Sequence, residues 1–274
     1  MIYKGANNDY FLLSKITVSK ITVLDEKIDQ SWLLIWIKNN ETELIIDGTK
    51  YTFIKNQLLF LSQSHQFTFV EPNDCIVLKF NQLFFDVLEN DSELESKGLL
   101  FYTAFNFPIL SVSKQELDHF EMIWRMIIAE TSRIEIIQLM LKQLILLCRK
   151  LYIEQNNLLL VSKKSLNIMR EYSYLVDQHF NKKHLVADYA ILLGKSSKTL
   201  SNTFAEKFQK SPLQIIQNRI ELEAKRLLSS QSMPIHLIAS ELGFIDIQTF
   251  SRFFKNRTQL SPSEYRNSIT SLSF

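Results

Sequence analysis

The amino-acid sequence predicts an α+β multidomain protein. We expect a small antiparallel β-barrel or jelly roll plus helices at the N-terminus, and an all-α C-terminal domain with two helix-turn-helix motifs. Short runs of β-branched and aromatic residues, separated by polar turns, extend from about Tyr10 to Phe80. From Ser113 onward the spacing of apolar residues becomes helical. Residues 161–274 hold 16 Lys and Arg against 9 Asp and Glu, whereas the rest of the chain holds 15 against 20.

Composition and charge limit the classes of function. The 274 residues include only five Gly and five Pro, as is typical of a folded globular protein. Because residues 161–274 carry a net charge of +7 and the rest is acidic, we expect only the C-terminal part to bind a polyanion. The longest apolar run near the N-terminus, Trp32 to Ile37, is too short to span a bilayer, and no signal peptide is recognisable. These features predict a cytoplasmic protein that does not bind a membrane.

The N-terminal strands are separated by polar turns, of which Asp47-Gly48 is the strongest hairpin signal. Further turns are predicted at 39–40, 55–56 and 72–73. Short strands repeated at this spacing are typical of a small barrel or jelly roll, whose mouth could hold a small molecule. Aromatic residues of the strands could line an effector pocket, but we expect them in the core, where strand aromatics usually lie. These residues are Trp32, Trp36, Tyr51, Phe67 and Phe69.

The sequence predicts no catalytic or metal site. A bound metal ion needs several His and carboxylate ligands that converge on it, and His65 is the only histidine among the strands. Cys75 and Cys148 are isolated, without disulfide or metal-ligand spacing, which favours a reducing compartment. The chain also lacks nucleophile-elbow, HExxH and glycine-rich phosphate-loop patterns. We therefore expect no enzyme activity, no metal and no cofactor.

Two amphipathic helices follow the strands. Ser113 and Glu116 form a possible capping box for the first helix, and the second runs from about Ile134 to Gln155. The second helix is apolar on more than one side, so more than one side must be buried. We predict that residues 113–155 join the domains and also form a homodimer interface. Burial of these helices within one monomer is the alternative.

The basic part of the chain contains a first helix-turn-helix pattern. A helix over about Ser165–Phe180 is followed by apolar residues at helical spacing from Leu185 to Leu193. Gly194 ends that helix, and Ser196 can cap the next one. The outward side of this next helix carries Ser197, Lys198, Ser201 and Asn202.

A second helix-turn-helix pattern lies nearer the C-terminus. Gly243 ends an apolar helical stretch, and Asp246 can cap a helix whose inner face is Phe250, Phe253 and Phe254. The outward side of this helix carries polar groups that can bond base edges and phosphates in a DNA major groove: Gln248, Thr249, Arg252 and Lys255. Two ordinary packed helices are the alternative that this stretch alone leaves open.

A connecting helix separates the two patterns. Ser211 is its predicted cap, and Pro212 is its first residue. Its inner face is predicted to be one apolar stripe of Leu213, Ile216, Ile220, Ala224 and Leu227. About seventeen helical residues span roughly 25 Å. Together with part of the width of each motif, this length brings the two recognition helices toward the roughly 34 Å that separates successive major grooves on one face of DNA.

Six segments carry a family resemblance when they are matched together and in order: Val186 to Ala190, Lys198 to Asn202, Arg219 to Leu228, Ile238 to Phe244, Phe250 to Lys255 and Ser261 to Arg266. They resemble the DNA-binding domain of AraC/XylS-type transcription regulators. The N-terminal part resembles the cupin-like sensor domain common in that family. Together with the change from strands to helices and the change in charge, the resemblance predicts a sensor over 1–110, a helical dimerisation and linker segment over 111–160, and a DNA-binding domain over 161–274.

By resemblance, the two recognition helices begin near Ser196 and Asp246, and the DNA-facing positions are Ser197, Lys198, Ser201, Asn202, Gln248, Thr249 and Arg252. We expect phosphate contacts from Lys195, Lys198 and Lys255, and we include Ser196 and Asp246 in the predicted interface. Two positions depart from the family pattern. Asn202 stands where the family often has Arg, so a contact is missing from the first motif and Arg252 is expected to matter most. Gln259 stands where a helix-ending Gly is usual, which is expected to strain the turn.

We therefore predict a sequence-specific DNA-binding transcription regulator that reads two successive major grooves per monomer. Its expected partners are double-stranded DNA, a second copy of the chain, a small-molecule effector and, by resemblance, RNA polymerase at activated genes. The alternatives are a cupin-like metal enzyme fused to a helical domain, and a helical adaptor that binds protein instead of DNA. The effector, its binding residues and the operator are not specified by the sequence.

Overall fold

The chain folds into two compact units in the computed structural model. One unit comprises residues 1–63 and 67–160, and the other comprises 64–66 and 161–274. The structure describes residues 1–16, 31–38, 41–71, 74–85, 99–101, 107–130, 132–208, 211–229 and 233–270. The turns predicted at 39–40 and 72–73 lie outside these ranges. Within them, every helix is too short or too polar to cross a membrane.

The described part of the N-terminal unit is built from antiparallel strands and helices. The strands are β1 (Ile2–Lys4), β2 (Tyr10–Ile16), β3 (Ser31–Ile37), β4 (Thr42–Ile46), β5 (Thr49–Phe53), β6 (Gln57–Ser62), β7 (Phe67–Glu71), β8 (Cys75–Asn81) and β9 (Ile109–Ser111). One sheet has the order β1-β2-β8-β3-β6-β9, and the other has the order β5-β4-β7. The helices are α1 (Gln82–Phe85), α2 (Lys114–Ala129), α3 (Ile134–Gln155) and a 3-10 turn, Leu158–Leu160.

The predicted hairpin at Asp47-Gly48 is confirmed. Ile46 pairs with Thr49 across the two-residue turn. Asp47 and Gly48 have φ angles of 50° and 80°. Positive φ at both positions gives the turn the twist of the flanking strands, so it fixes the register of β4 against β5.

Strand β3 lies between β8 and β6 in the larger sheet, and it is buried on both faces because an apolar cluster covers each of them. Trp32, Leu34 and Trp36 belong to one apolar cluster, shared with α2 and α3. The alternate residues Leu33 and Ile35 belong to a second cluster, between the two sheets. The five strand aromatics expected in the core are confirmed there: Trp32, Trp36 and Phe69 are buried, and Tyr51 and Phe67 are half-buried against the second cluster.

Helices α2 and α3 pack on the larger sheet. Both the backbone N–H and the hydroxyl of Ser113 donate to the carboxylate of Glu116, at 3.3 and 2.8 Å, which confirms the predicted helix start. α3 has the predicted bounds, and its buried side lies in the cluster shared with the sheet. Its other side leaves apolar groups in solvent, including Leu139, which is 56% exposed.

The described part of the C-terminal unit is helical. Its helices are α4 (Lys163–His179), α5 (Val186–Leu192), α6 (Ser197–Phe208), α7 (Pro212–Ser229), α8 (Ile235–Glu241), α9 (Ile247–Thr258) and α10 (Pro262–Thr270). The predicted start of α7 is confirmed, since the Ser211 hydroxyl accepts the Gln214 N–H at 3.2 Å and the Gln214 side chain accepts the Ser211 N–H at 2.8 Å.

Three details differ from the sequence-based expectations. α4 begins at Lys163, before the predicted Ser165, because the Ser162 hydroxyl accepts the Ser165 N–H at 3.2 Å. Leu213 was expected in the inner stripe of α7 but is 42% exposed, since Ile215 and Ile216 occupy that face. Leu185 is 65% exposed because it is the extended residue before α5 and not part of its helical face.

Candidate nucleic-acid interface

The turn between α5 and α6 is closed by backbone hydrogen bonds around a glycine. Gly194 has a φ of 61°, a left-handed conformation that favours glycine. The Lys195 N–H donates to the Ala190 carbonyl at 2.9 Å, and the Gly194 N–H donates to the Ile191 carbonyl at 3.0 Å. The Ser196 hydroxyl then accepts the Thr199 N–H at 3.0 Å, so the predicted cap of α6 is confirmed.

The turn between α8 and α9 repeats this arrangement. Gly243 has a φ of 79°. The Phe244 N–H donates to the Ala239 carbonyl at 2.9 Å, and the Gly243 N–H donates to the Ser240 carbonyl at 3.0 Å. The Asp246 carboxylate accepts the Thr249 N–H at 2.6 Å, which confirms the second predicted cap. The second turn has one residue more than the first between its glycine and its cap.

Each turn leads to a helix with an apolar inner face. Leu200 and Phe204 of α6 are fully buried, and Phe204 contacts Tyr172 of α4 with ring centroids 5.1 Å apart. Phe250 and Phe254 of α9 are also fully buried, and Phe254 contacts a tyrosine of α10. Because these faces point inward, the opposite faces of α6 and α9 are in contact with solvent.

The predicted contact residues form two groups, one on each helix pair. Most are exposed: Ser196, Lys198, Ser201, Asn202, Asp246, Gln248, Arg252 and Lys255. The others are half-buried: Lys195, Ser197 and Thr249. The side-chain oxygens of Ser196 and Asp246 are already engaged in capping. Hydrogen bonds from Thr249 hold the pKa of the Asp246 carboxyl below its usual range, so this residue is anionic at neutral pH.

Ile247 is an exposed residue that the sequence analysis missed. It is the first residue of α9 and directly follows the cap. Aligned on the caps, it corresponds to Ser197 of α6, which had been placed on the outward side. That alignment is the signal in the sequence that could have identified Ile247.

The cations of this unit divide into two kinds. Arg219 of α7 donates to Asp177 at 2.7 Å and to Glu223 at 3.0 Å, and Arg257 of α9 donates to Glu221 at 2.8 Å. These guanidinium groups hold helices together and are unavailable to a ligand. In contrast, the four cations predicted to contact DNA form no ion pair within 4 Å with any carboxylate that the structure describes: Lys195, Lys198, Arg252 and Lys255. Such cations are available to phosphate.

The described residues provide no metal-ligand set. They contain no group of three or more His, Cys, Asp or Glu side chains placed to hold an ion. Both cysteines are buried and neither forms a disulfide, and burial raises the pKa of the Cys148 thiol above its usual range. A thiol held in the protonated state is a poor metal ligand and a poor nucleophile.

The comparisons with known proteins concern mainly this C-terminal unit. Residues 189–268 match the family described as "Helix-turn-helix domain". The arabinose operon regulatory protein of Salmonella typhimurium LT2 is 37% identical over 93 residues, 34% of this chain and 32% of that protein. An HTH-type transcriptional regulator of Bacillus subtilis 168, YisR, is 31% identical over 96 residues, 35% of this chain and 33% of that protein. The matched region spans about a third of the length of these relatives.

Solved structures also resemble the chain. ToxT from Vibrio cholerae O395 aligns with 88% of this chain and 90% of its own, with 16% sequence identity and a TM-score of 0.45.

Proposed function

We propose that this chain, whose residues 189–268 are an AraC-type helix-turn-helix domain, is a transcription regulator that binds specific sequences of double-stranded DNA. The observation that carries the proposal is the repeated geometry of the two turns. Each leads to a helix with apolar residues inside and a polar or basic face in solvent. A helix presented in this way is suited to the DNA major groove. The relatives that match this region are named as regulators of transcription.

Both helix pairs are proposed to act as helix-turn-helix motifs, with α6 and α9 in successive major grooves. Base contacts are assigned to Ser197, Ser201, Asn202, Gln248, Thr249 and Arg252, whose hydroxyl, amide and guanidinium groups can bond base edges. Phosphate contacts are assigned to Lys195, Lys198 and Lys255. Ser196 and Asp246 contribute by capping and so by placing the first turn of each helix, because their side-chain oxygens accept backbone N–H groups.

The N-terminal unit is proposed to be a cupin-like jelly roll that senses a small-molecule effector. The strand order supports this proposal. β2, β8, β3 and β6 are neighbours in one sheet and β7, β4 and β5 in the other, so the chain repeatedly passes from one sheet to the other. Such crossings build the double-sheet jelly roll. The mouth of the barrel is the proposed effector site.

The remaining proposals concern assembly and place of action. Apolar side chains of α2 and α3 that stay exposed within the unit support a homodimer through residues 113–155. They are Met122, Met126, Ile128, Leu139 and Leu146. By family resemblance, the regulator would act in the cytoplasm and activate genes through contact with RNA polymerase.

The salt dependence of DNA binding tests the proposed function. We expect the full-length protein to select a discrete sequence from a random double-stranded DNA library and to lose affinity steeply as salt rises. Lys255→Ala should reduce the slope of log K against log salt by about 0.9, because one phosphate contact is lost. Lys225→Ala is the matched control, since Lys225 is paired with Glu221 at 2.9 Å.

The outcomes separate the alternatives. Failure of the wild-type protein to bind any DNA at low salt would contradict the proposed function. Equal slopes for Lys255→Ala and the wild type would remove Lys255 from the interface and leave the function in place.

A further inference from the structure

The turn between α4 and α5 contacts the turn of the second helix pair directly. Nε2 of His184 lies 2.9 Å from the carbonyl oxygen of Leu242. A carbonyl oxygen can only accept, so Nε2 carries the hydrogen and donates it. The imidazole ring also packs against Phe244, with ring centroids 5.1 Å apart. One side chain before the first pair therefore contacts both residues that flank Gly243.

Gly243 makes this approach possible. A Cβ atom at this position would overlap the carbonyl oxygen of Asn181 and would lie 3.3 Å from Nε2 of His184. The overlapping atom is backbone, so a side chain there could be accommodated only by separating the two turns. Gly194 provides the internal comparison, because its φ is also positive and yet nothing lies within 4 Å of its Cβ position. The left-handed backbone favours glycine at both positions. Close packing against the turn between α4 and α5 is a further requirement for glycine at position 243 alone.

The turn before α5 is itself held by the core of the first pair. The hydroxyl of Tyr189 donates to the Lys183 carbonyl at 2.8 Å. The Tyr189 ring is fully buried and packs on Tyr172, with centroids 5.4 Å apart. The backbone N–H of Lys183 donates to the His179 carbonyl at 2.9 Å. A continuous set of contacts thus leads from the core under α6 to the turn that places α9.

Ion pairs on α7 reinforce the same arrangement. Arg219 joins α7 to Asp177 of α4 and lies over the Phe180 ring, 3.9 Å from its centroid. Arg257 near the end of α9 joins that helix to Glu221 and Asn218 of α7. α7 alone would set only the distance between the two helix pairs. These contacts also restrict rotation of either pair about the axis of α7.

We propose that the contact of Asn181 and His184 with the Gly243 turn fixes the separation and relative rotation of α6 and α9, and thereby selects the spacing between two DNA half-sites. This inference rests on the proposed reading of two grooves. One base pair of extra spacing moves a half-site by about 3.4 Å and rotates it by roughly a tenth of a turn. A rigid pair of helices cannot follow such a displacement. His184, Asn181 and Gly243 are therefore positioning residues, and they contact no DNA.

Selection from a random double-stranded DNA library tests the spacing directly. We would compare the full-length wild type with His184→Ala, Gly243→Ala and the control Gly194→Ala. The readout is the distribution of distances between the two enriched half-sites, together with affinity for the selected site and for versions with one base pair added or removed. The wild type and Gly194→Ala should bind the selected spacing at least about tenfold more tightly than either altered spacing.

Loss of spacing selectivity is the expected result for His184→Ala and Gly243→Ala, with the sequence of each half-site unchanged. His184→Gln, which keeps an N–H donor, should retain more selectivity than His184→Ala. Thermal unfolding identifies variants that fail to fold. If Gly243→Ala is one of them, the comparison of the wild type with His184→Ala and His184→Gln tests the inference. Wild-type spacing selectivity in a folded His184→Ala would overturn the inference. A wild type that enriches no sequence would instead overturn the proposed function, and one that enriches a single half-site would exclude two-groove reading.

Discussion

Asn202 and Arg252 occupy equivalent positions, six residues after the caps of α6 and α9. Both are exposed, but only Arg252 carries a charge and five N–H donors. The planar guanidinium can bond the O6 and N7 atoms of guanine together, whereas the shorter asparagine side chain pairs best with adenine. α6 and α9 therefore have different side chains at the same distance from their caps.

Arg252→Ala should weaken binding to the selected DNA site by about 1–3 kcal/mol, because a bidentate base contact is lost. Binding to random DNA should change much less. Titrations of both DNAs by fluorescence anisotropy would measure this difference, with Asn202→Ala as the comparison in the first motif. An equal loss on both DNAs would identify Arg252 as a phosphate contact.

Asp246 should make the stability of the α8–α9 pair depend on pH in the acidic range. Its pKa is lowered in the folded protein by hydrogen bonds from Thr249, so its stabilising effect is complete above the unfolded pKa and is lost as pH falls through the lower, folded value. Asp246→Ala should lower the melting temperature at neutral pH, whereas Asp246→Asn, which keeps a capping oxygen, should lower it less. The difference between wild type and Asp246→Ala should shrink at acidic pH. A constant difference from neutral to strongly acidic pH would contradict this role.

At the scale of elements, α9 ends in a strained residue. Gln259 has a φ of 66°, and its N–H donates to the Lys255 carbonyl at 2.8 Å. The expectation that a side chain occupies a left-handed position here is confirmed. Because most L-residues adopt this conformation at a cost, the end of α9 stores some strain that a glycine would not.

Gln259→Gly should stabilise the C-terminal unit by about 1 kcal/mol, because glycine adopts the left-handed conformation without strain. The greater conformational entropy of glycine in the unfolded chain should offset part of this gain. Asn256→Gly, at an exposed helical position of α9, should have the opposite sign. Denaturant unfolding of both variants would measure the two effects. A loss of stability in Gln259→Gly would show that the turn is not strained.

Local signals in the sequence predicted the elements well, and non-local contacts explain what they missed. A glycine followed by Ser196 or Asp246 is a local signal, so both turns and both caps could be predicted. The burial of β3 on both faces depends on α2 and α3 on one side and on the second sheet on the other, which the sequence of β3 does not specify. The contact of His184 with Leu242 joins residues 58 apart in the chain, and no helical period or motif spacing predicts it. Leu185 is exposed because α5 begins one residue after it, and the exact end of a helix is poorly defined by the spacing of apolar residues.

At the scale of the whole molecule, the exposed apolar side of α2 and α3 bears on assembly. Leu139→Glu should raise the dissociation constant of the proposed homodimer at least about tenfold, because it places a charge in an apolar interface. Light scattering over a range of protein concentrations would measure the change. Leu83→Glu is the matched control, since Leu83 is 50% exposed on α1 of the same unit. A wild type that is monomeric at every concentration would contradict the dimer.

The one-residue difference between the two turns has a consequence for direction. α9 is reached through a longer turn than α6, and the two helices present different side chains in a fixed order along the chain. Because α6 and α9 present different side chains, the two half-sites proposed to bind one chain should differ in sequence. The DNA site of a single chain should therefore not be palindromic. Inverting such a site beside a gene would turn the bound protein around, and with it any surface that faces the transcription start.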